Sequence, residues 1–410
     1  MRILYLHQYF TLPTQAGGTR SYEMARQLIE HGHQVTMVCG LEGNAKIDLA
    51  PTQNENIRRG MVDGIDVIQI SVPYSNNMGL VARAKSFCSF AWQSTKFALK
   101  EDYDVLFATS TPLTAGIPGV VMKLLGRRKK FIFEVRDLWP ELPKALGMTN
   151  PFWIGCMSIL EWLSYHLADG CIGLSPGICE GIQKRSQKNK PIAMVPNGCD
   201  LDIFNPSLKE PLKLEGIENN DKVAIFTGAH GIANGLDAVL DMARILKERG
   251  RQDIKIAFIG KGKMKLHLVN RVKEENLCNC IFYDPIPKVL LAKIVASATV
   301  GLMVLKNVPA FYYGTSPNKF FDYIASGLPI INNYPGWLAG MIKENKCGVV
   351  VEPDNAEAFA DSLIDMVDNA PLAEYSQNAR ALAEKEFDRS LLGDKFVKFF
   401  EEIHGKNKSE

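Results

Sequence analysis

Short, uninterrupted apolar segments recur along the whole chain, and stretches with helical periodicity separate them. The segments of the first half are RILYLH, QVTMVCG, IDVIQI, VLFAT, FIFEVRD, GCIGLS and PIAMVPN. Most of them lack polar alternation, which is typical of strands buried on both faces of a parallel sheet. Strands that alternate with helices predict an α/β protein with helices covering parallel sheets.

The same pattern stops near the middle of the chain and then starts again. After the polar segment FNPSLKEPLKLEGIENNDK, the apolar segments resume as VAIFTGAHG, KIAFIGKG, CIFYDPI, VGLMVL, PIINN and GVVVEPDN. A chain of 410 residues is long enough for two domains with separate cores. We expect two doubly wound, Rossmann-like domains over residues 1–205 and 206–385, and a C-terminal helix and tail over 386–410 that packs back on the first domain.

Composition and charge narrow the class of protein. The formal net charge of +2 gives no reason to propose a nucleic-acid partner. The nine cysteines are odd in number and lack paired zinc spacings, which suggests a reducing compartment. We find neither a signal-peptide pattern in MRILYLHQYF nor an apolar stretch long enough to span a bilayer. The expectation is a cytoplasmic protein.

Glycine-bearing loops follow several predicted strands, where open α/β sheets bind their ligands. Gly17 and Gly18 lead into the first helix, although a Gly-Gly turn also has a purely structural explanation. FTGAHGIANGLDAVL and FIGKGKMKLHL repeat the order of strand, glycine loop and helix. Glycine allows close approach and helix starts favour anions, so the recurrence favours a phosphate-rich ligand. The second loop also carries Lys261, Lys263 and Lys265, which a solvated surface would explain equally well.

The segment GTSPNKFFDYIASGLP, residues 314–329, has two interpretations. Exposed amides, a hydroxyl and an ammonium at the start of a helix can bind an anion. Alternatively, Ser-Pro-Asn only caps the helix and Gly-Leu-Pro ends it. The residues of this segment leave both interpretations open.

Four segments in this order and at these intervals resemble the retaining glycosyltransferases with the GT-B fold: VPNGCDLDIFNP, FTGAHGIANGLDAVL, FIGKGK and SPNKFFDYIASGLPII. The resemblance covers nearly the whole chain. EVRDLWPE and GTSPNKFFDYIASG further resemble the bacterial enzymes that build surface polysaccharides, among them the transferases for L-fucosamine-type sugars. The resemblance implies two facing Rossmann-like domains with a cleft between them, and a UDP-sugar donor on the C-terminal domain without a metal ion or other cofactor.

The resemblance also implies which residues bind the donor. By position, Ser316, Asn318 and Lys319 would contact the diphosphate or the donor sugar. Asp322 would accept hydrogen bonds from the ribose hydroxyls, a role that suits a carboxylate. The complete expected set is Gly228, Asn234, Gly260, Lys263, Thr315, Ser316, Pro317, Asn318, Lys319 and Asp322.

Two departures from the family pattern concern the donor. Gly314 stands where many relatives carry a second acid, so neighbouring residues must orient the donor sugar. Ala229 and Asn234 stand where many relatives carry the arginine and lysine that neutralise the diphosphate. Because departure of a diphosphate needs positive charge or aligned donors, we expect compensation by Lys261, Lys263 or Lys319.

A third departure lies in the first domain, where the His-Asp pair of many relatives is replaced by Arg136-Asp137. The segment DLWP has a second explanation, as a helix cap followed by a core tryptophan. In the retaining reaction the departing diphosphate can take the acceptor proton, so no protein nucleophile is required. We expect Asp137 and Glu141 to orient acceptor or donor hydroxyls and Arg136 to bind an acceptor phosphate. A further acceptor or phosphate loop would comprise Gly17, Gly18 and Arg20.

No acidic residue occurs from Val67 to Lys100. Drawn as a helix at about 100° per residue, LVARAKSFCSFAWQSTKFALK gathers Lys85, Lys96 and Lys100 within about 60° of arc, opposite an apolar face. Such a helix either lies on an anionic membrane or packs as an ordinary surface helix on its own sheet. The basic segment KLLGRRKKF favours peripheral binding to the inner face of the cytoplasmic membrane.

The preferred interpretation is a transferase that moves an N-acetylated amino sugar from UDP to a polyprenyl-diphosphate-linked saccharide, in O-antigen or capsule synthesis. Its expected partners are the UDP-sugar, the lipid-linked acceptor and the inner membrane surface, with no nucleic acid. One alternative is a UDP-sugar epimerase of the same fold. The other is a non-catalytic protein that binds a sugar nucleotide or a membrane transferase, as Ala229, Asn234 and Gly314 suggest.

Overall fold

The structure is a computed structural model that describes residues 1–15, 17–42, 47–74, 78–145 and 147–405. The chain divides into two compact units. The first comprises residues 1–196, 314–316 and 390–410, and the second comprises residues 197–313 and 317–389. The division therefore falls at Pro196, ahead of the boundary expected near residue 205.

The first unit is an α/β unit built on one sheet. Its strands are β1 (Arg2–Leu6), β2 (Gln34–Glu42), β3 (Ala50–Pro51), β4 (Ile57–Val62), β5 (Ile65–Tyr74), β6 (Val105–Ser110), β7 (Lys130–Val135), β8 (Gly170–Gly173) and β9 (Ile192–Met194). They lie in the order β3-β4-β5-β2-β1-β6-β7-β8-β9. Pairing is parallel apart from β3–β4 and β4–β5, which are antiparallel. The strand order reverses between β1 and β6, the kind of position at which such sheets bind ligands.

Within the described residues of this unit, six α-helices connect these strands. They are α1 (Arg20–Glu30), α2 (Leu80–Lys100), α3 (Ile117–Leu124), α4 (Glu141–Ala145), α5 (Pro151–Leu167) and α6 (Pro176–Arg185). Helix α3 packs between α2 and α5. The core on this side of the sheet consists of apolar strand residues such as Leu4, Leu106 and Phe133, packed against helix residues such as Phe90 and Tyr165.

The second unit has an all-parallel sheet. Its strands are β10 (Lys222–Thr227), β11 (Ile254–Ile259), β12 (Cys280–Tyr283), β13 (Val300–Met303), β14 (Ile330–Asn332) and β15 (Gly348–Val350), in the order β12-β11-β10-β13-β14-β15. This is the strand order of dinucleotide-binding domains, reversing between β10 and β13. The helices are α7 (Asp237–Glu248), α8 (Lys265–Glu274), α9 (Lys288–Ser297), α10 (Pro309–Tyr313), α11 (Asn318–Ala325), α12 (Trp337–Glu344), α13 (Ala356–Asp368) and α14 (Leu372–Glu386).

The last helix, α15 (Arg389–Gly405), belongs to the first unit from Ser390 onward. Its Phe396 and Phe400 rings meet the ring of Phe107 on β6 edge to face, with centroids 5.3 and 5.0 Å apart. The final segment of the chain thus contributes to the core of the unit in which the chain begins. None of the described helices is both long enough and apolar enough to cross a membrane.

Candidate functional site

Helix α11 is fixed at the carboxyl end of the second sheet by its buried tyrosine. The hydroxyl of Tyr323 accepts a hydrogen bond from the N–H of Thr227, at 3.0 Å, and donates one to the carbonyl of Ile225, at 3.1 Å. Both partners lie on β10. A Cβ atom at Gly301 of β13 would lie 2.6 Å from the Tyr323 ring, so the glycine makes room for it. Helix α11 therefore begins at the point where the strand order reverses.

Lys319, in the first turn of α11, lies beside the loop that follows β10. Its ammonium donates a hydrogen bond to Oδ1 of Asn234, at 3.1 Å, and lies 4.0 Å from the centroid of the Phe226 ring. Asn234 donates in turn to the carbonyl of Ala229, at 2.8 Å. Among the residues that the structure describes, no carboxylate pairs with this ammonium, and burial lowers the pKa of Lys319 to about 7. A partly buried cation without a counter-ion is suited to binding an anion.

Gly228 and Gly260 allow two loops of the second unit to touch. The N–H of Gly228 donates to the carbonyl of Ile259, and the N–H of Gly260 donates to the carbonyl of Tyr283. Their φ angles are +123° and +151°, and a Cβ atom at Gly260 would lie 1.9 Å from the carbonyl oxygen of Gly228. Loop packing explains both glycines, and their N–H groups are already satisfied. Any amides that meet a phosphate must come from other residues.

His230 is a buried residue of the same loop that sequence reasoning missed. Both of its ring nitrogens lack a hydrogen-bond partner within the described part of the chain. Burial, together with the charges of Lys265 and Lys319, lowers the pKa of His230 to about 4, so the ring is neutral at pH 7. Three aromatic rings surround it, those of Phe226, Phe258 and Phe282. The available signal was a histidine placed directly after a buried strand, in FTGAHG.

The three lysines that follow β11 have different surroundings. The ammonium of Lys265 donates to the carbonyls of Gly260 and Tyr283 and pairs with Asp284, at 2.7 Å. Lys261 and Lys263 are exposed. Lys261 and Lys263 can therefore contact a sugar-nucleotide donor without first breaking an ion pair, whereas Lys265 cannot.

Asp322 lies one turn after Lys319 on α11 and near Asp200. Asp200 is ion-paired with Lys288 and Arg389, and their charges outweigh burial and hold the pKa of Asp200 below its usual value. The carboxylate of Asp322 has no hydrogen-bond partner among the described residues, and burial raises the pKa of Asp322 to about 7, with Lys288 opposing the rise. An unbonded, partly buried carboxylate can accept hydrogen bonds from ligand hydroxyls.

The residues ahead of α11 do not form a side-chain cap. The N-cap position is occupied by Pro317, with φ −75° and ψ 131°, and no side-chain hydrogen bond caps the helix. Asn318, the first helical residue, is exposed, while Thr315 and Ser316 are partly buried. The first N–H groups of a helix have no partner within it, and the side chain at the N-cap position supplies none here, so Pro317 does not support the capping interpretation of Ser-Pro-Asn. The anion-binding interpretation stays a prediction.

In the first unit, Arg136 and Asp137 follow β7 next to the reversal of strand order. The N–H of Arg136 donates to the hydroxyl of Ser110, at 3.0 Å, and its guanidinium lies 3.4 Å from Nε2 of His7. Nδ1 of His7 is 2.6 Å from the hydroxyl of Ser21. Burial and the charge of Arg136 hold the pKa of His7 well below its usual value, and burial raises the pKa of Asp137 against the effect of Arg136. Sequence reasoning missed His7. The available signal was its position in LYLHQYF, directly after a buried strand.

Arg20 is buried and fully engaged within the first unit. Its Nε and Nη2 donate to one oxygen of Glu134, at 3.0 and 2.7 Å. Nη1 and Nη2 also donate to the carbonyls of Pro196 and Val195, at 2.6 and 2.7 Å. Burial would raise the pKa of Glu134, but Arg20 outweighs it and the pKa is lowered. Arg20 therefore joins α1 to β7 and to the segment after β9, and this geometry does not favour the expected role in an acceptor or phosphate loop.

The remaining expected residues of the first unit are divided between an ion cluster and an exposed loop. Glu141, at the start of α4, accepts a hydrogen bond from Arg185, at 3.0 Å, and Arg185 also pairs with the buried Glu161, at 2.8 Å. Glu141 is therefore part of a cluster that joins α4, α5 and α6. Gly17 and Gly18 are exposed ahead of α1, and Gly17 has φ +154°.

Two family models match separate parts of the chain. The model described as Glycosyltransferase Family 4 matches residues 17–203, and the model described as Glycosyl transferases group 1 matches residues 211–382. The curated D-inositol 3-phosphate glycosyltransferase of Paenarthrobacter aurescens (strain TC1) is 25% identical over 194 residues. This match spans 45% of the present chain and 45% of that relative, which is less than half of its length.

Solved structures resemble the chain over nearly its whole length. Sucrose-phosphate synthase (tll1590) from Thermosynechococcus elongatus has a TM-score of 0.78 at 16% identity and covers 99% of both chains. A structure described as trehalose-6-phosphate from E. coli bound with UDP-2-fluoro glucose has a TM-score of 0.72 at 11% identity, over 98% of this chain and 99% of the other. The expected GT-B fold is confirmed, while the L-fucosamine-type branch stays a prediction. The chain has the GT-B fold, and each of its two matched segments is similar to a glycosyltransferase family, the second of them to the group 1 glycosyltransferases.

Proposed function

We propose that the protein transfers a sugar, with retention of configuration, from a UDP-sugar bound by the second unit to a hydroxyl group of a lipid-diphosphate-linked saccharide. The observation that carries the proposal is the partly buried ammonium of Lys319, whose partners are Oδ1 of Asn234 and the face of Phe226. The similar E. coli structure contains UDP-2-fluoro glucose, which supports UDP as the carrier.

A diphosphate would supply the negative charge that Lys319 lacks. Because its pKa is lowered to about 7 by burial, the ammonium gains most from an anion that arrives beside it. The first N–H groups and the dipole of α11 add attraction for the same anion. Negative charge grows on the diphosphate as the glycosidic bond breaks, so these groups stabilise the transition state as well as the bound donor.

We assign the ribose of the same nucleotide to Asp322. It follows Lys319 by three residues, which separates the two side chains by about 4.5 Å along the helix axis. A carboxylate accepts hydrogen bonds from two vicinal hydroxyls, and that of Asp322 has no competing partner among the described residues. One helix therefore offers a cation for the diphosphate and an acceptor for the ribose.

The acceptor and the identity of the sugar complete the proposal. The polar cluster of Arg136 and Asp137 is the candidate site for the acceptor, with the departing diphosphate taking its proton. Lys85, Lys96 and Lys100 are exposed on α2, as expected for a protein that meets a lipid-linked acceptor at an anionic inner membrane surface. We assign an N-acetylated amino sugar and a role in O-antigen or capsule synthesis on the family resemblance.

Thermal unfolding with nucleotides tests donor binding. We expect UDP to raise the melting temperature without a divalent metal, because binding to the native state stabilises it. Equal stabilisation by ADP, or an absolute need for manganese, would contradict the donor assignment. Once the donor is identified, release of UDP that depends on an added acceptor supports sugar transfer. Isomerisation of the sugar without release of UDP indicates an epimerase. Binding of the donor without turnover across a panel of acceptors indicates a non-catalytic protein.

A further inference from the structure

Helix α5 packs apolar side chains such as Met157 and Leu160 on the core, but it also exposes several large apolar side chains while it buries polar ones. The exposed fraction is 66% for Phe152, 54% for Trp153, 62% for Ile159 and 49% for Trp162, residues that we call the α5 face. The buried residues of the same helix are Glu161, Ser164 and Tyr165. Hydrophobic burial drives the opposite arrangement in a surface helix surrounded by water. The α5 face therefore indicates a nonaqueous partner.

Neighbouring helices extend the α5 face with more exposed apolar residues. Helix α3 packs against both α2 and α5, and its end exposes Leu124 and Leu125. Helix α2 exposes 67% of Trp92. Single exposed apolar residues are ordinary, but large ones clustered on three adjacent helices mark an interaction surface.

Cations accompany these apolar residues, and the helices α2, α3 and α5 carry no exposed carboxylate, although Asp102, directly after α2, is exposed. Helices α2 and α3 contain no aspartate or glutamate, and the one acid of α5, Glu161, is buried. The ammonium of Lys96 lies 5.6 Å from the centroid of the Trp92 ring. The exposed cations of α2 and of the segment after α3 are Lys85, Lys96, Lys100, Arg127 and Arg128.

We infer that the α5 face, with Trp92, Leu124 and Leu125, inserts into the interfacial layer of an anionic lipid bilayer while the cations of α2 and residues 127–128 contact the headgroups. Tryptophan favours this layer because one part of its ring is apolar and another donates a hydrogen bond. Positive charge without exposed carboxylates on these helices complements anionic lipid. The inference rests on the proposed function in one respect, because the lipid is taken to be that of the membrane that carries the acceptor.

Sedimentation with vesicles tests the surface without sugar nucleotide or acceptor, so its outcome is independent of the proposed chemistry. The full chain should bind vesicles of equimolar phosphatidylglycerol and phosphatidylcholine, and should bind pure phosphatidylcholine much less. The triple variant Phe152→Gln, Ile159→Gln and Trp162→Gln should lower the partition coefficient about 100-fold, because three side chains that leave water in the parent become polar. A matched control, Met61→Gln, Leu266→Gln and Val289→Gln, changes three exposed apolar residues elsewhere and should bind as the parent does.

The cations and the α5 face make separable contributions. The variant Lys85→Gln, Lys96→Gln and Lys100→Gln should also lower partitioning about 100-fold, at roughly fivefold per cation near an anionic surface. This loss should shrink as salt is raised, because the attraction is screened over about 10 Å at 0.1 M. The loss caused by the α5 substitutions should persist at high salt.

Quenching of tryptophan fluorescence by brominated lipid tests which residues enter the bilayer. We expect strong quenching in the parent and weaker quenching in Trp153→Phe, Trp162→Phe, a variant that keeps two apolar rings and should still bind vesicles, with Trp92 as the source of the quenching that remains. The inference is overturned if parent and α5 variant, both folded by circular dichroism, partition equally or if quenching is unchanged. It is also overturned if the parent is a dimer that the α5 substitutions dissociate, since the surface would then be a protein interface.

Discussion

The two units each place a basic residue in the first turn of a helix near the carboxyl end of a parallel sheet, but they use it differently. Arg20, at the start of α1, makes four hydrogen bonds, two of them to the buried carboxylate of Glu134. Lys319, at the start of α11, donates to a neutral amide oxygen of Asn234 and has no carboxylate partner among the described residues. One basic residue therefore has its counter-charge within the fold, and the other does not.

The position of a cation at the start of a helix therefore does not by itself identify a ligand site. The anion attracted to such a position can be a side chain of the protein, as Glu134 is for Arg20. A buried pair of opposite charges satisfies both side chains within the fold. A partly buried cation without a counter-ion can instead bind the anion of a ligand. Four experiments test whether Arg20 and Lys319 differ in this way.

The largest effect should follow from removing Arg20. We expect Arg20→Met to lower the free energy of unfolding by about 3–5 kcal/mol, because Glu134 is left buried with an uncompensated charge. Urea denaturation measures the loss. The double variant Arg20→Met, Glu134→Leu should recover most of it, and a fully stable single variant would show that the pair does not hold the first unit together.

Loss of Lys319 should leave the fold intact and weaken the donor. We expect Lys319→Met to reduce the affinity for UDP about 10- to 150-fold, the value of a charge-assisted hydrogen bond of roughly 1.5–3 kcal/mol. Asp322→Ala should reduce the affinity for UDP in the same range, because the hydrogen bonds from the ribose hydroxyls are lost. Isothermal titration calorimetry measures both, with Lys343→Met on α12 as a matched control. Unchanged UDP affinity would remove the substituted residue from the site.

Donor affinity should depend on pH in opposite directions at Lys319 and Asp322. The pKa of Lys319 is lowered to about 7, so affinity should fall about tenfold from full protonation to pH 8 as the ammonium is lost. The pKa of Asp322 is raised to about 7, so affinity should fall below pH 7 as the carboxylate is protonated. Binding of a UDP-sugar, whose diphosphate does not titrate in this range, should therefore be strongest near pH 7. Lys319→Met should remove the alkaline fall, and Asp322→Asn the acidic one.

The smallest effect concerns stability without ligand. Because the pKa of Lys319 in the folded protein lies below its unfolded value, the charged form is penalised at every pH below the unfolded pKa, and fully so below pH 7. Lys319→Met should thus raise the free energy of unfolding at pH 6, on the order of 1 kcal/mol, and less at pH 10. A decrease at pH 6 would show that Lys319, like Arg20, stabilises the fold.

Most of the fold could be predicted because parallel strands buried on both faces leave a clear pattern. Each of the thirteen predicted apolar segments contains a strand, and α2 spans the segment drawn as a helix. The strands β3 and β4 were missed. IRRGMV is partly exposed and pairs antiparallel near the edge of the sheet, so it lacks the continuous apolar run that marked the others.

The candidate site could be predicted in part. The resemblance indicated Lys319 and Asp322, and the structure places both on α11. It could not indicate that Asn234 bonds to Lys319, or that Glu134 and two carbonyls occupy Arg20, because these contacts join residues more than eighty positions apart. His230 was missed for the same reason, since its unpaired nitrogens follow from burial among aromatic rings on other strands.

The sequence alone was enough to predict the parallel strands of both sheets, the helices between them, the repeated glycine loops and the family resemblance, because strand burial, turn chemistry and motif spacing are local properties of the chain. Tertiary structure alone decided which charges are matched inside the fold and which face of α5 is exposed. Charge compensation and burial depend on neighbours supplied by distant segments. The periodicity of a helix predicts an apolar face, but only packing decides whether that face meets the core or the surroundings.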